Sequence, residues 1–119
     1  MAKWEELHKK EQYLLEDERD LSVTTRQLQH LKKDYESHFQ QATRYLGRAT
    51  DLFHQNDSHY LFETLQGDMS HDARKLIYEI EEGEESLLSQ KRTLIQQLED
   101  VSVAKRQASI AAEEKRYEH

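Results

Sequence analysis

The 119-residue sequence contains no cysteine and no proline, and only three glycines. Without cysteine there is no disulfide framework, no thiolate nucleophile and no sulfur ligand for zinc. Without proline, every residue keeps its amide donor and no pyrrolidine ring blocks a preceding turn, so nothing obliges a helix to stop. Valine occurs only three times and no segment alternates apolar with polar residues, which removes the usual signature of strands. No run approaches the roughly 18 apolar residues of a membrane span, so no membrane insertion is expected. The start, Met1-Ala2-Lys3-Trp4-Glu5-Glu6, carries acids where a signal peptide needs an apolar stretch.

A surplus of basic charge is also missing. The net charge is −7, and it is unevenly spread. Residues 1–53 hold 9 basic and 10 acidic side chains, residues 54–72 hold none and 4, and residues 73–119 hold 8 and 10. Two nearly balanced arms therefore flank an acidic middle. Such a chain offers no electrostatic footprint for nucleic acid and no basic face for anionic lipid.

What is present is a helical composition: 34 % charged and 35 % hydrophobic, rich in Glu, Gln, Lys, Arg and Leu. Every seventh residue from Leu7 reads Leu7, Leu14, Leu21, Leu28, Tyr35, Ala42, Ala49. The column three residues earlier reads Trp4, Glu11, Glu18, Thr25, Lys32, Phe39, Leu46, Phe53, apolar at its ends and polar in its middle. In the second half the column Ala73, Ile80, Leu87, Leu94, Val101, Ala108 is apolar throughout. An unbroken period of seven marks a helix that winds on a neighbour. The expected fold is all-α: one domain over residues 1–119, an antiparallel helical hairpin with arms at 3–54 and 70–117.

Between the arms the pattern fails. Gln55-Asn56-Asp57-Ser58 is a run of turn and capping residues, any of the last three suited to start a helix. Tyr60-Leu61-Phe62-Glu63-Thr64-Leu65 reads as a short helix, with Gly67 suited to its C-terminus and Asp68 or Ser70 to the start of the second arm. The expected tip is thus a short helix or structured loop over 55–69. Its aromatics Tyr60 and Phe62, with Phe53, read either as a plug on the hairpin end or as an anchor for a partner.

Sites for chemistry are sparse. His59 and Glu63 are four apart and share a helix face, but zinc takes three or four ligands; the tip histidines His54, His59 and His71 read as solvated, and no metal or other cofactor is expected. The carboxylates at Glu79–Glu85 and Glu16–Asp20 are spread around exposed helix faces rather than converging on one cleft. No nucleophile motif and no glycine-rich phosphate loop occur. The reading is a non-enzyme. One helix covers only one side of another, so the apolar stripe calls for a further helix, from a second copy or a different protein. The residues expected to meet it are Leu7, Leu14, Leu21, Leu28, Leu87 and Leu94, with Trp4 at the open end.

The layout carries a resemblance. A Trp-x-x-Leu start (Trp4, Leu7), a long Glu/Gln/Lys/Arg/Leu arm, a short aromatic middle and a second arm with Lys-Arg repeats resemble the small α-helical proteins encoded beside LXG toxins of Gram-positive bacteria. That resemblance covers nearly the whole chain. It implies a targeting factor or chaperone that binds the helical N-terminal LXG domain of a toxin, alone or together with a second small helical protein. The complex would form in the cytoplasm for delivery to a type VII secretion machine, a route that needs no signal peptide. Export signals of that system take the form aromatic-x-x-x-acid; Tyr13–Asp17, Phe53–Asp57 and Tyr78–Glu82 match, and Phe53–Asp57 lies at the tip. The related Esx-type hairpins carry Trp-x-Gly at their turn, whereas the sole tryptophan here is Trp4, followed by Glu5-Glu6. The alternative is a structural coiled coil, self-associating or a stalk of the flagellar export apparatus.

Overall fold

The computed structural model describes residues 2–53, 55 and 57–117. Two helices account for nearly all of them: α1, Ala2–Leu52, 51 residues, and α2, Ser58–Tyr117, 60 residues. No strand occurs among the described residues. The chain is an all-α antiparallel helical hairpin. Both helices draw on strong helix formers and neither is interrupted by proline. Lys115 and Arg116 lie in the last turn of α2, where cations suit the negative end of the helix dipole.

The connection is tighter than the sequence suggests. The amide of Phe53 donates to the carbonyl of Ala49 at 3.1 Å and closes α1. Only residues 53–57 separate the helices, and α2 begins directly after Asp57. The expected tip over 55–69 is therefore corrected: most of it is the first part of α2. Gly67 does not end a helix, because it has no positive φ and sits inside α2. Its cost of about 1 kcal/mol against alanine is small beside the packing that continues through it. Phe62, Gln66, Ser70 and Ala73 are all at least half-buried at helical spacing, so the seam keeps its phase from the turn onward. The capping reading of Asn56 and the tip histidine His54 fall outside the described residues.

The chain packs as two units. Unit 1 combines residues 1–25 with 86–119, and unit 2 comprises 26–85. In unit 1, Leu14 and Val101 are buried, and Leu7, Leu21, Leu87, Leu94, Leu98, Ala104 and Ala108 are half-buried. In unit 2, Ile80 is buried, and Leu28, Phe39, Ala42, Leu46, Ala49, Ala73, Leu76 and Ile77 are half-buried. The two period-seven columns of α1 thus face α2 in both units, including their polar members. Among the described residues no side chain is wholly enclosed, as expected where one helix covers only one side of another. Gly83 marks a close approach in unit 2: a methyl added there would lie 3.3 Å from Leu28 Cδ2.

Candidate protein-interaction surface

Three polar positions of the seam column, Glu11, Thr25 and Lys32, have partners. Thr25 turns inward on its own helix, its hydroxyl donating to the carbonyl of Leu21 at 2.8 Å. In unit 1, Lys105 reaches across from α2. Its ammonium donates to Glu11 Oε1 and to His8 Nδ1, both at 3.0 Å. Lysine has only donors, so Nδ1 of His8 is the acceptor. The same ammonium lies 4.7 Å from the centre of the Trp4 ring, and Trp4 stacks on His8 with centroids 5.1 Å apart and planes within 5°. Trp4 therefore acts as a lid on a charged contact, with 38 % of its surface still exposed.

In unit 2, Lys32 reaches from α1 to α2. Its Nζ is 3.2 Å from Glu84 Oε1 and 3.4 Å from Glu81 Oε1. Glu84 Oε1 is enclosed and accepts no well-directed hydrogen bond, so the nearby charge does most to satisfy it. The Glu84 carboxylate holds the Lys32 ammonium above the usual lysine range, against partial desolvation, and Glu81 adds to the effect. Tyr78 is likewise raised above the usual tyrosine range, chiefly by the Glu82 carboxylate accepting from its hydroxyl.

The tip aromatics divide. Phe53 and Phe62 stack on each other, centroids 5.2 Å apart and planes at 18°, with Phe53 still partly exposed. His59 Nδ1 lies 3.3 Å from the Thr50 carbonyl, and its Nε2 is 3.6 Å from Glu63. Tyr60, by contrast, points outward with 73 % of its surface exposed, and Asp57 is exposed beside it in sequence. Among the described residues no three His, Cys, Asp or Glu side chains come together to hold a metal ion, and no helix is long and apolar enough to cross a membrane.

The leucines expected to meet a further helix lie in the intrachain seam. Leu14 is buried, and Leu7, Leu21, Leu28, Leu87 and Leu94 are half-buried, because each arm takes up the stripe of the other. The apolar surface left open is elsewhere. On α1 of unit 2, Leu31, Tyr45 and Leu52 are exposed in one period-seven column that also contains His38. Beside the seam of the same unit an open groove of about 1140 Å³ is lined by Phe39, Ala73 and Ile77, with Lys33, Arg44 and Arg74 among its charged members. On α2 of unit 1, Leu88, Ile95, Val103, Ile110 and Tyr117 are exposed.

A family model described as "Protein of unknown function (DUF3958)" matches residues 2–108. The chain belongs to the DUF3958 family. No curated protein and no solved structure matches it. The DUF3958 match takes in both charged seam contacts, from Trp4 to Lys105 in unit 1 and from Lys32 to Glu84 in unit 2.

In this DUF3958 chain the apolar columns can be read from sequence, and the basic doublet Lys105-Arg106 suits charge pairing between helices, but the particular pairs Lys105–Glu11 and Lys32–Glu84 are not evident from it. A signal existed: Ile77, Glu84, Lys91, Leu98, Lys105 and Ala112 are seven apart and form a second, mixed column on α2. His8 had no such signal, since it lies beside the column rather than in it. Val103, Ile110 and Tyr117 likewise lie outside the column from Ala73, so the period-seven pattern does not point to them.

Proposed function

We propose that this chain is a non-enzymatic helical adaptor that binds a helical partner protein through the open apolar column of unit 2. The observation that carries the proposal is the exposure of Leu31, Tyr45 and Leu52, at 44 %, 72 % and 79 %, on one period-seven column of α1 outside the intrachain seam. Large apolar side chains at that spacing suit the face of another amphipathic helix. Removing each from water favours association by roughly 1.5–3 kcal/mol before the costs of docking. The groove lined by Phe39, Ala73 and Ile77 offers the partner a second apolar strip.

The layout of the chain supports one kind of partner: the helical N-terminal LXG domain of a toxin, bound in the cytoplasm and handed to a type VII secretion machine. In this reading Phe53–Asp57 and the outward Tyr60 form the part of the hairpin offered to the export apparatus, while Trp4 stays with Lys105. The test is capture of a purified LXG domain encoded beside this chain, at low salt and micromolar concentration. Retention by the wild type, and loss of retention on Tyr45→Asp combined with Leu52→Asp, is the expected outcome. An LXG domain that passes through unretained overturns the toxin assignment; retention unchanged by the double substitution overturns the assigned face.

A further inference from the structure

We propose that this chain also pairs with a second copy of itself, through the outer face of α2 in unit 1, the two α2 helices running antiparallel about a two-fold axis between Ser102 and Val103. Two sets of residues on that face carry the inference. Leu88, Ile95, Val103, Ile110 and Tyr117 form its exposed apolar members. Among them runs a column of exposed charges seven residues apart and alternating in sign: Arg92, Glu99, Arg106, Glu113. Within the described residues none of these four makes an ion pair or hydrogen bond. The column lies roughly 100° or more around the helix from Leu87, Leu94 and Val101, so α1 does not cover it.

The order of these residues is complementary to itself under one operation. An antiparallel two-fold between Ser102 and Val103 sets Arg92 level with the partner's Glu113 and Glu99 level with the partner's Arg106. Symmetry repeats both, giving four opposite-charge contacts. The same operation sets Leu88 level with the partner's Tyr117 and Ile95 level with the partner's Ile110. A parallel pair in register sets every charge against its own kind. Exposed ion pairs add little affinity each, so the apolar members drive association and the charges select its direction. Because the matching closes on one partner copy, it describes a dimer rather than an open chain of subunits. The face uses none of Leu31, Tyr45 and Leu52, so this pairing and the adaptor reading are tested separately.

Sedimentation equilibrium of the full chain at low salt and high micromolar concentration is the primary measurement, and a dimer is expected. Arg92→Glu with Arg106→Glu makes the column wholly acidic, and Glu99→Arg with Glu113→Arg makes it wholly basic. Each pair of substitutions should weaken self-association by at least about tenfold, and an equal mixture of the two variants should restore the dimer. All four side chains are exposed, so circular dichroism should report unchanged helicity. Orientation is read separately, because the chain has no cysteine of its own. Ser102→Cys, beside the axis, should cross-link to its counterpart under mild oxidation, and Leu88→Cys should not. A monomeric wild type, charge variants that dimerise as the wild type does, a mixture that stays monomeric, or cross-linking of Leu88→Cys as readily as Ser102→Cys would each overturn the proposal.

Discussion

Unit 1 and unit 2 obey the same seven-residue rule and fill it differently. Unit 1 buries Leu14 and Val101, lines the rest with leucine and alanine, and places its one cross-helix lysine beneath an aromatic lid. Among the described residues unit 2 buries Ile80, uses the rings of Phe39, Phe53 and Phe62, and holds its lysine between two carboxylates. Both seams leave open space beside them: a groove of about 540 Å³ at Leu21, Leu87 and Leu94 in unit 1, and the larger one of about 1140 Å³ beside Phe39 and Ile77 in unit 2, where rings bury more area each. Apolar periodicity says where two helices touch; the residues that fill it decide how much surface remains for others.

The sharpest way to break this comparison is to empty the core of each unit in turn. Leu14→Ala and Ile80→Ala should each cost about 2–5 kcal/mol, read by chemical denaturation. Native-state hydrogen exchange then separates them: Leu14→Ala should lower protection first in 2–25 and 86–117, Ile80→Ala first in 26–85. Protection that falls uniformly in both variants would show that the division into units has no energetic meaning.

A smaller effect distinguishes two glycines of unit 2. Gly67 has nothing within 4 Å of an added methyl, whereas at Gly83 that methyl meets Leu28 Cδ2 at 3.3 Å. Gly67→Ala should stabilise by about 1 kcal/mol, the full difference in helix propensity. Gly83→Ala should gain less, since Leu28 has to give way. Thermal unfolding of the two variants side by side checks the order, and a larger gain at Gly83 would mean that the close approach imposes no constraint.

The smallest expected effect is with pH, and it belongs to unit 2. Lys32 and Tyr78 are both raised above their usual ranges by neighbouring carboxylates. For a group whose folded-state value is raised, the stabilisation is fully present below the unfolded value and is lost as pH rises through the folded one. The melting temperature should therefore fall on the alkaline side, above about pH 10. Lys32→Gln, which carries no titrating group, should show a shallower fall there. A variant that tracks the wild type across that range would exclude Lys32 as a source of the dependence.

Much of this fold is written in local spacing. Leu7 through Leu28 and Ala73 through Ala108 announce two helices and the faces they bury, because period seven needs no knowledge of distant residues. The turn is harder to place: Asn56, Asp57 and Ser58 suit one helix start, Gly67 with Asp68 or Ser70 suits another, and packing through Phe62 and Gln66 decides between them. Lys105 and His8 lie 97 residues apart, so their meeting depends on where the turn falls. An error of several residues there changes which charges face each other. The surface at Tyr45 and Leu52 was legible only as residues off the seam, since sequence alone does not say how far the other arm wraps around.

The two lysine contacts have a consequence for sliding. A stripe of leucines alone would pack almost as well if one helix moved by a full heptad along the other. Here such a move has a cost at two places. Shifted one way, Glu11 would come opposite Ala112 and Lys32 opposite Lys91; shifted the other way, they would meet Leu98 and Ile77. Either displacement leaves a half-covered charge without an opposite neighbour. Lys105 and Glu84 thus work like the marks of a vernier, which agree at a single setting.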